Sequence, residues 1–155
     1  MKSWTNPDLG FCLISGSFEK KRGRVPILFD TGACELLRRR NRRAEKLALD
    51  FYPPVLCTHV VGEYLFGQVF SGVSSSALLE AREFLESFEI LSPDSATAAI
   101  YARLRSQMRR GGITLPDPDY WIAAHAIQEN FSLVSTDRDF ESIPELKLYY
   151  LPPSG

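Results

Sequence analysis

Apolar and polar positions along this chain follow two alternating rhythms, one of strands and one of helices. Residues 25–29 form an apolar run that stops abruptly at Asp30, the pattern of a strand buried on both faces. From Ala33 onward the apolar positions are Leu36, Leu37, Ala44, Leu47, Ala48 and Phe51, which is helical spacing. The polar stretch 38–43 inside it predicts a junction between two helices. Pro53-Pro54 closes that unit, and Val55-Leu56-Cys57 reads as a second strand. Thr58 is placed to cap a helix whose inward stripe is Val60, Val61, Tyr64, Leu65 and Val69.

The serines at 74–76 predict the next helix start, with Leu78, Ala81, Phe84, Leu85 and Phe88 inward. Ile90-Leu91 is a third strand. Ser92-Pro93-Asp94 reads as a helix start, with a cap, a first-turn proline and an early acid. That helix runs through Ile100, Leu104 and Met108 to a stop at Gly111-Gly112. Asp117-Pro118 opens another by the same logic, with Asp117 as its cap and Ile122, Ala123, Ala126 and Ile127 buried. Leu133-Val134-Ser135 is a strand ending at the acidic turn around Asp137, and residues 146–151 are the last strand. Strands alternate with helices throughout, so the expected architecture is an α/β domain with a mostly parallel central sheet.

The pattern divides the chain into an N-terminal extension at 1–24, a domain at 25–151 and a tail at 152–155. Only Phe11-Cys12-Leu13-Ile14 reads as a strand in the extension. A chain of 155 residues suits one compact domain. No apolar run approaches the roughly 20 residues that span a bilayer, and residues 1–11 lack the apolar core of a signal peptide. The expectation is a cytoplasmic protein without a membrane partner. Eighteen Lys and Arg against nineteen Asp and Glu leave a net charge of −1, which gives no overall pull toward nucleic acid and leaves local patches to decide. Cys12, Cys34 and Cys57 include no CxxC pair, so the spacing suggests neither a zinc site nor a disulfide framework.

Four acids fall where an open parallel sheet binds ligands, beyond the carboxyl ends of its strands. Asp30 follows the first strand and Asp137 the late one. Asp119 lies in a first helical turn, three and four residues before the buried Ile122 and Ala123, and Glu63 lies about one turn into its helix. Gathered carboxylates repel one another, and a hard divalent cation relieves the repulsion. Such a site fits phosphodiester hydrolysis, in which the metal activates water and stabilises charge on phosphorus. Singly, each acid has a plainer reading: Asp30 as a helix cap, Asp119 as a complement to the helix dipole, Glu63 as a surface residue. Asp137 and Asp139 share one turn, so either could be the ligand; Asp137 is preferred, and Asp117 and Asp139 remain in reserve.

The segments Ile27-Leu28-Phe29-Asp30-Thr31, Val61-Gly62-Glu63-Tyr64-Leu65-Phe66-Gly67, Asp119-Tyr120-Trp121-Ile122-Ala123-Ala124-His125-Ala126 and Leu133-Val134-Ser135-Thr136-Asp137-Arg138-Asp139-Phe140 resemble PIN-domain nucleases. The likeness is greatest to the VapC-like toxins of bacterial toxin–antitoxin pairs and spans roughly residues 25–151. It implies a three-layer α/β/α fold and an endoribonuclease using Mg²⁺ or Mn²⁺. Asp30, Glu63, Asp119 and Asp137 would be the catalytic metal-binding acids, with Thr31 and Ser135 in support. It also implies RNA as substrate, a small antitoxin chain as partner, and dimers as a frequent state. Gly32 departs from the pattern, where Asn or Ser usually follows the Asp-Thr pair.

Two other readings compete. A binding module could keep the fold without catalysis. Asp30-Thr31-Gly32-Ala33 also matches the Asp-Thr-Gly-Ala signature of aspartic proteases, although the residues after it are patterned as helix. The basic cluster of Arg38, Arg39, Arg42 and Arg43 reads as a solvated helix face, or else as a contact for RNA or for an acidic partner segment. Trp121 and Tyr120 read as packing aromatics, His125 as a packing or hydrogen-bonding residue, and His59 as a neighbour supporting the acids.

Overall fold

In a computed structural model, residues 25–153 other than residue 52 are described. The expected strand at 11–14 lies outside them. Among the described residues five strands form one sheet in the order β3-β2-β1-β4-β5: β1 Ile27–Phe29, β2 Pro54–Cys57, β3 Glu89–Leu91, β4 Ser132–Ser135 and β5 Leu148–Tyr150. All four pairings are parallel. Among the described residues six helices flank the sheet: α1 Thr31–Arg38, α2 Arg42–Asp50, α3 Thr58–Phe70, α4 Ser75–Leu85, α5 Ser95–Arg110 and α6 Asp117–Gln128. The result is the three-layer α/β/α arrangement expected from the alternating pattern.

The apolar runs are the centre of the sheet. Ile27, Leu28 and Phe29 of β1, Val55, Leu56 and Cys57 of β2, and Leu133 and Val134 of β4 are wholly buried. Burial of each large apolar side chain contributes about 1.5–3 kcal/mol. The polar stretch at 38–43 does divide two helices. Arg40 there takes a φ of 60°, and the Asn41 side chain accepts hydrogen bonds from the N–H groups of Arg43 and Ala44 to start α2. Among the described residues no helix is long and apolar enough to cross a membrane.

Three expected caps are corrected. Thr58 is the first residue of α3, not its cap; the helix leaves β2 directly, and the Thr58 hydroxyl donates to the Leu91 carbonyl of the neighbouring strand. Asp94, not Ser92, caps α5, since its side chain is the one that reaches the Thr97 N–H while Thr97 Oγ1 accepts from the Asp94 N–H. Pro116 precedes α6, and Asp117 makes no cap bond; its carboxylate pairs instead with Arg105 and accepts from the Tyr101 hydroxyl on α5. One inward position also fails. Val69 is 62 % exposed, beside Phe66 and Phe70, because the last turn of α3 extends past the core.

Candidate active site

Strand order reverses at β1: β2 and β3 lie to one side, β4 and β5 to the other. Such a reversal leaves a crevice at the carboxyl ends of the two strands that flank it, here β1 and β4. Asp30 is the first residue after β1, and Ser135 ends β4. Phe29 pairs in register with Val134, which sets Asp30 beside Ser135.

Asp30 is only 6 % exposed and does two things at once. One carboxylate oxygen accepts from the Ala33 N–H at 2.6 Å and so caps α1, as its plainer reading required. The other accepts from the Ser135 hydroxyl. Burial nevertheless pushes its pKa up to about 6, against the lowering effect of the Ser135, Ala33 and Thr136 hydrogen bonds, and the Asp137 charge adds to the rise. Ser135 Oγ also accepts from the Asp137 N–H at 2.9 Å, so one hydroxyl ties the acid after β1 to the turn after β4.

Thr31 donates its hydroxyl to Glu63 Oε2 at 2.6 Å and thereby links α1 to α3. Asp119 is half-buried in the first turn of α6. Its pKa is raised to about 7, first by burial and then by the negative charges of Glu63, Asp137, Asp30 and Asp139. The acids singled out in the sequence therefore act electrostatically on a single carboxyl group. Asp137 and Asp139 lie exposed at the mouth, where Asp137 accepts from the Asp139 N–H at 2.8 Å and begins a short 3-10 helix, Arg138–Ser142. Asp117 stands aside from this group, engaged by Arg105.

Gly32 has a steric reason that the sequence did not reveal. A Cβ built there would fall 2.1 Å from Thr136 Oγ1 and 3.3 Å from its Cβ. Thr136 lies in the turn after β4, so a side chain at 32 would force the Thr136 side chain to rotate or shift. The Asp-Thr-Gly triplet thus opens a helix packed under a turn, inside a parallel sheet, which removes the structural basis for the aspartic-protease reading. The basic cluster lies elsewhere. Arg38 and Arg39 pair with Glu35 at the far end of α1, about 12 Å of helix from Asp30, while Arg42 and Arg43 are exposed on α2.

The donor set is all carboxylate oxygen, which suits a hard divalent cation. The two raised carboxyls mark an excess of buried negative charge that such a cation would offset. In this respect the residues fit the metal that the resemblance implies.

A family model described as PIN domain matches residues 27–146. Ribonuclease VapC2 of Rickettsia felis is 30 % identical over 97 residues, which cover 59 % of this chain and 72 % of the relative. The crystal structure of VapBC2 from the same organism, bound to a DNA fragment from its promoter, superposes with a TM-score of 0.71 at 24 % identity, covering 82 % of this chain and 99 % of the other. A toxin–antitoxin complex from Klebsiella pneumoniae gives a TM-score of 0.63 at 22 % identity, with 81 % and 99 % covered.

Proposed function

Because the chain belongs to the PIN-domain family, we propose that it is a metal-dependent endoribonuclease that hydrolyses RNA phosphodiester bonds. The observation that carries this reading is the state of Asp119: burial and four surrounding acids raise its pKa to about 7. Perturbed carboxyls in a cleft are characteristic of sites that bind cations or move protons. Asp30, Glu63, Asp119 and Asp137 are the residues that would hold Mg²⁺ or Mn²⁺. Bound there, the cation supplies charge neutralisation, polarisation of the phosphate and a more acidic water.

The protein's own groups do the remaining work. Ser135 and the Ala33 N–H fix both oxygens of Asp30, and Thr31 fixes Glu63, so neither acid has to be ordered when substrate arrives. Asp137 and Asp139 are exposed, so solvent and a cation can reach them directly. Asp119 holds a proton on a carboxylate oxygen for much of the time near neutral pH, and it would have to give that proton to solvent to serve as a ligand.

The proposed biological setting is the toxin of a toxin–antitoxin pair, on the strength of the VapC2 relative and the toxin–antitoxin structures that share the fold. A small antitoxin chain would cover the exposed end of α3, where Phe66 and Phe70 stack with ring centroids 5.6 Å apart.

The test is incubation of the purified chain, free of any partner, with pooled cellular RNA. Cleavage with Mg²⁺ or Mn²⁺ that EDTA abolishes is the expected result. Intact RNA under every metal condition, with the protein folded, would transfer the reading to a catalytically silent binding module.

A further inference from the structure

A second cluster of metal-ligating side chains lies one strand away from the acids. Cys57 ends β2, His59 is in the first turn of α3, and His125 is in the last turn of α6. One ligand atom from each lies within 4.8 Å of the others. Cys57 is wholly buried and His125 is 2 % exposed. His59 Nδ1 and His125 Nε2 are both buried without a hydrogen-bond partner. Buried polar atoms are almost always paired, and two orphans beside one buried thiol call for an explanation. Packing does not supply one: His59 stacks on Trp121 at 5.1 Å, and His125 meets His59 at 6.2 Å, but ring contacts leave the nitrogens unpaired.

We propose that Cys57, His59 and His125 form a second metal site, for a borderline d-block cation of the Zn²⁺ class, that fastens β2, α3 and α6 together. One sulfur and two imidazole nitrogens select such an ion over Mg²⁺, as the carboxylates of the first site select the reverse. A tetrahedral Zn²⁺ ion lies about 2.3 Å from sulfur and about 2.0–2.1 Å from nitrogen, so small side-chain rotations within the present separations close the site. Three protein ligands leave the fourth position to water. Binding releases the Cys57 thiol proton to solvent and leaves the thiolate on the metal. The consequence for the chain is mechanical. α3 carries Glu63 and α6 carries Asp119, and the bound ion would set the spacing between those two helices.

The test uses the full chain, metal-free, with excess Mg²⁺ present to occupy the acids, titrated with Co²⁺ as a spectroscopic stand-in for Zn²⁺. A thiolate-to-cobalt charge-transfer band saturating at a single equivalent, and erased by Zn²⁺, is expected. The band should vanish in Cys57→Ser and persist in Cys12→Ser, Cys34→Ser and Asp119→Asn. In His125→Gln the affinity should drop at least about tenfold. Zn²⁺ should also raise the melting temperature of the unaltered chain by on the order of 5 °C, and not that of Cys57→Ser. Should His125→Gln fail to fold, the near-isosteric Cys57→Ser and the unaltered chain decide the matter. Absence of the band in the folded, unaltered chain, or its survival in Cys57→Ser, overturns the proposal. Neither readout depends on RNA cleavage, so this inference and the nuclease reading can fail separately.

Discussion

Asp119 holds its proton more tightly in the folded chain than an ordinary carboxyl group does, because it is partly buried and faces four other acids. The sign of the linkage follows. A folded-state pKa raised to about 7 means that the folded form binds more protons than the unfolded form between about pH 4 and 7. Stability from this group is present at low pH and is lost as pH rises through 7. Asp119→Asn removes the penalty, so in EDTA above pH 7 the variant should be more stable than the unaltered chain by about 1–2 kcal/mol, discounted from the full shift for solvent screening. The advantage should shrink toward pH 4. Thermal melts across that range check it, and a variant no more stable at pH 8 would mean that the acids do not crowd Asp119. The same residue was legible in the sequence, since its distance from Ile122 and Ala123 placed it on the buried face of α6. Gly32 was not legible as a packing residue, because its partner Thr136 is distant in the chain and meets it only when β1 and β4 pair in register.

Elements were easier to read than their ends. The apolar runs of β1, β2 and β4 stood out as continuous buried stretches, and α1 and α2 stood out because their apolar and polar residues separate most sharply onto opposite faces. Caps were misread wherever tertiary contacts competed with local ones. Asp117 has a cap-like residue type, but Arg105 and Tyr101 on α5 attract its carboxylate across the helix pair. Thr58 turns to a carbonyl on β3 for the same reason. Val69 satisfied the stripe of α3, yet a stripe predicts burial only where another element covers it. The exposed turn that results makes Phe66, Val69 and Phe70 an apolar patch, in which Phe70 is 80 % exposed. On the proposed toxin–antitoxin reading, replacement of both Phe66 and Phe70 by Ser should weaken binding of the proposed antitoxin chain at least about tenfold while leaving RNA cleavage intact. Titration calorimetry with that antitoxin measures it; undiminished affinity would move the partner to another face.

At the scale of the whole molecule, the strand order brings the acids together. Reversal at β1 sets the ends of β1 and β4 side by side, and the packing of α1, α3 and α6 around that edge brings in Thr31, Glu63 and Asp119. The sequence pointed to this crevice because every acid follows a strand or lies in the first turns of a helix. It set His59 near the acids but gave no sign that Cys57 and His125 join it. Cys57 and His125 are far apart in the chain and match no ligand spacing; only the packing of α3 against α6 unites them. The central claim is that the carboxylate crevice is a divalent cation site on which RNA cleavage depends. Its most direct test is a Mn²⁺ titration that follows bound metal by paramagnetic resonance and RNA cleavage in the same samples, for the unaltered chain and for Asp119→Asn. The account predicts that binding and cleavage rise together in the unaltered chain and that the variant loses cleavage by at least about a hundredfold along with its Mn²⁺ affinity. Cleavage that persists in Asp119→Asn, or that proceeds with no bound Mn²⁺, would contradict it.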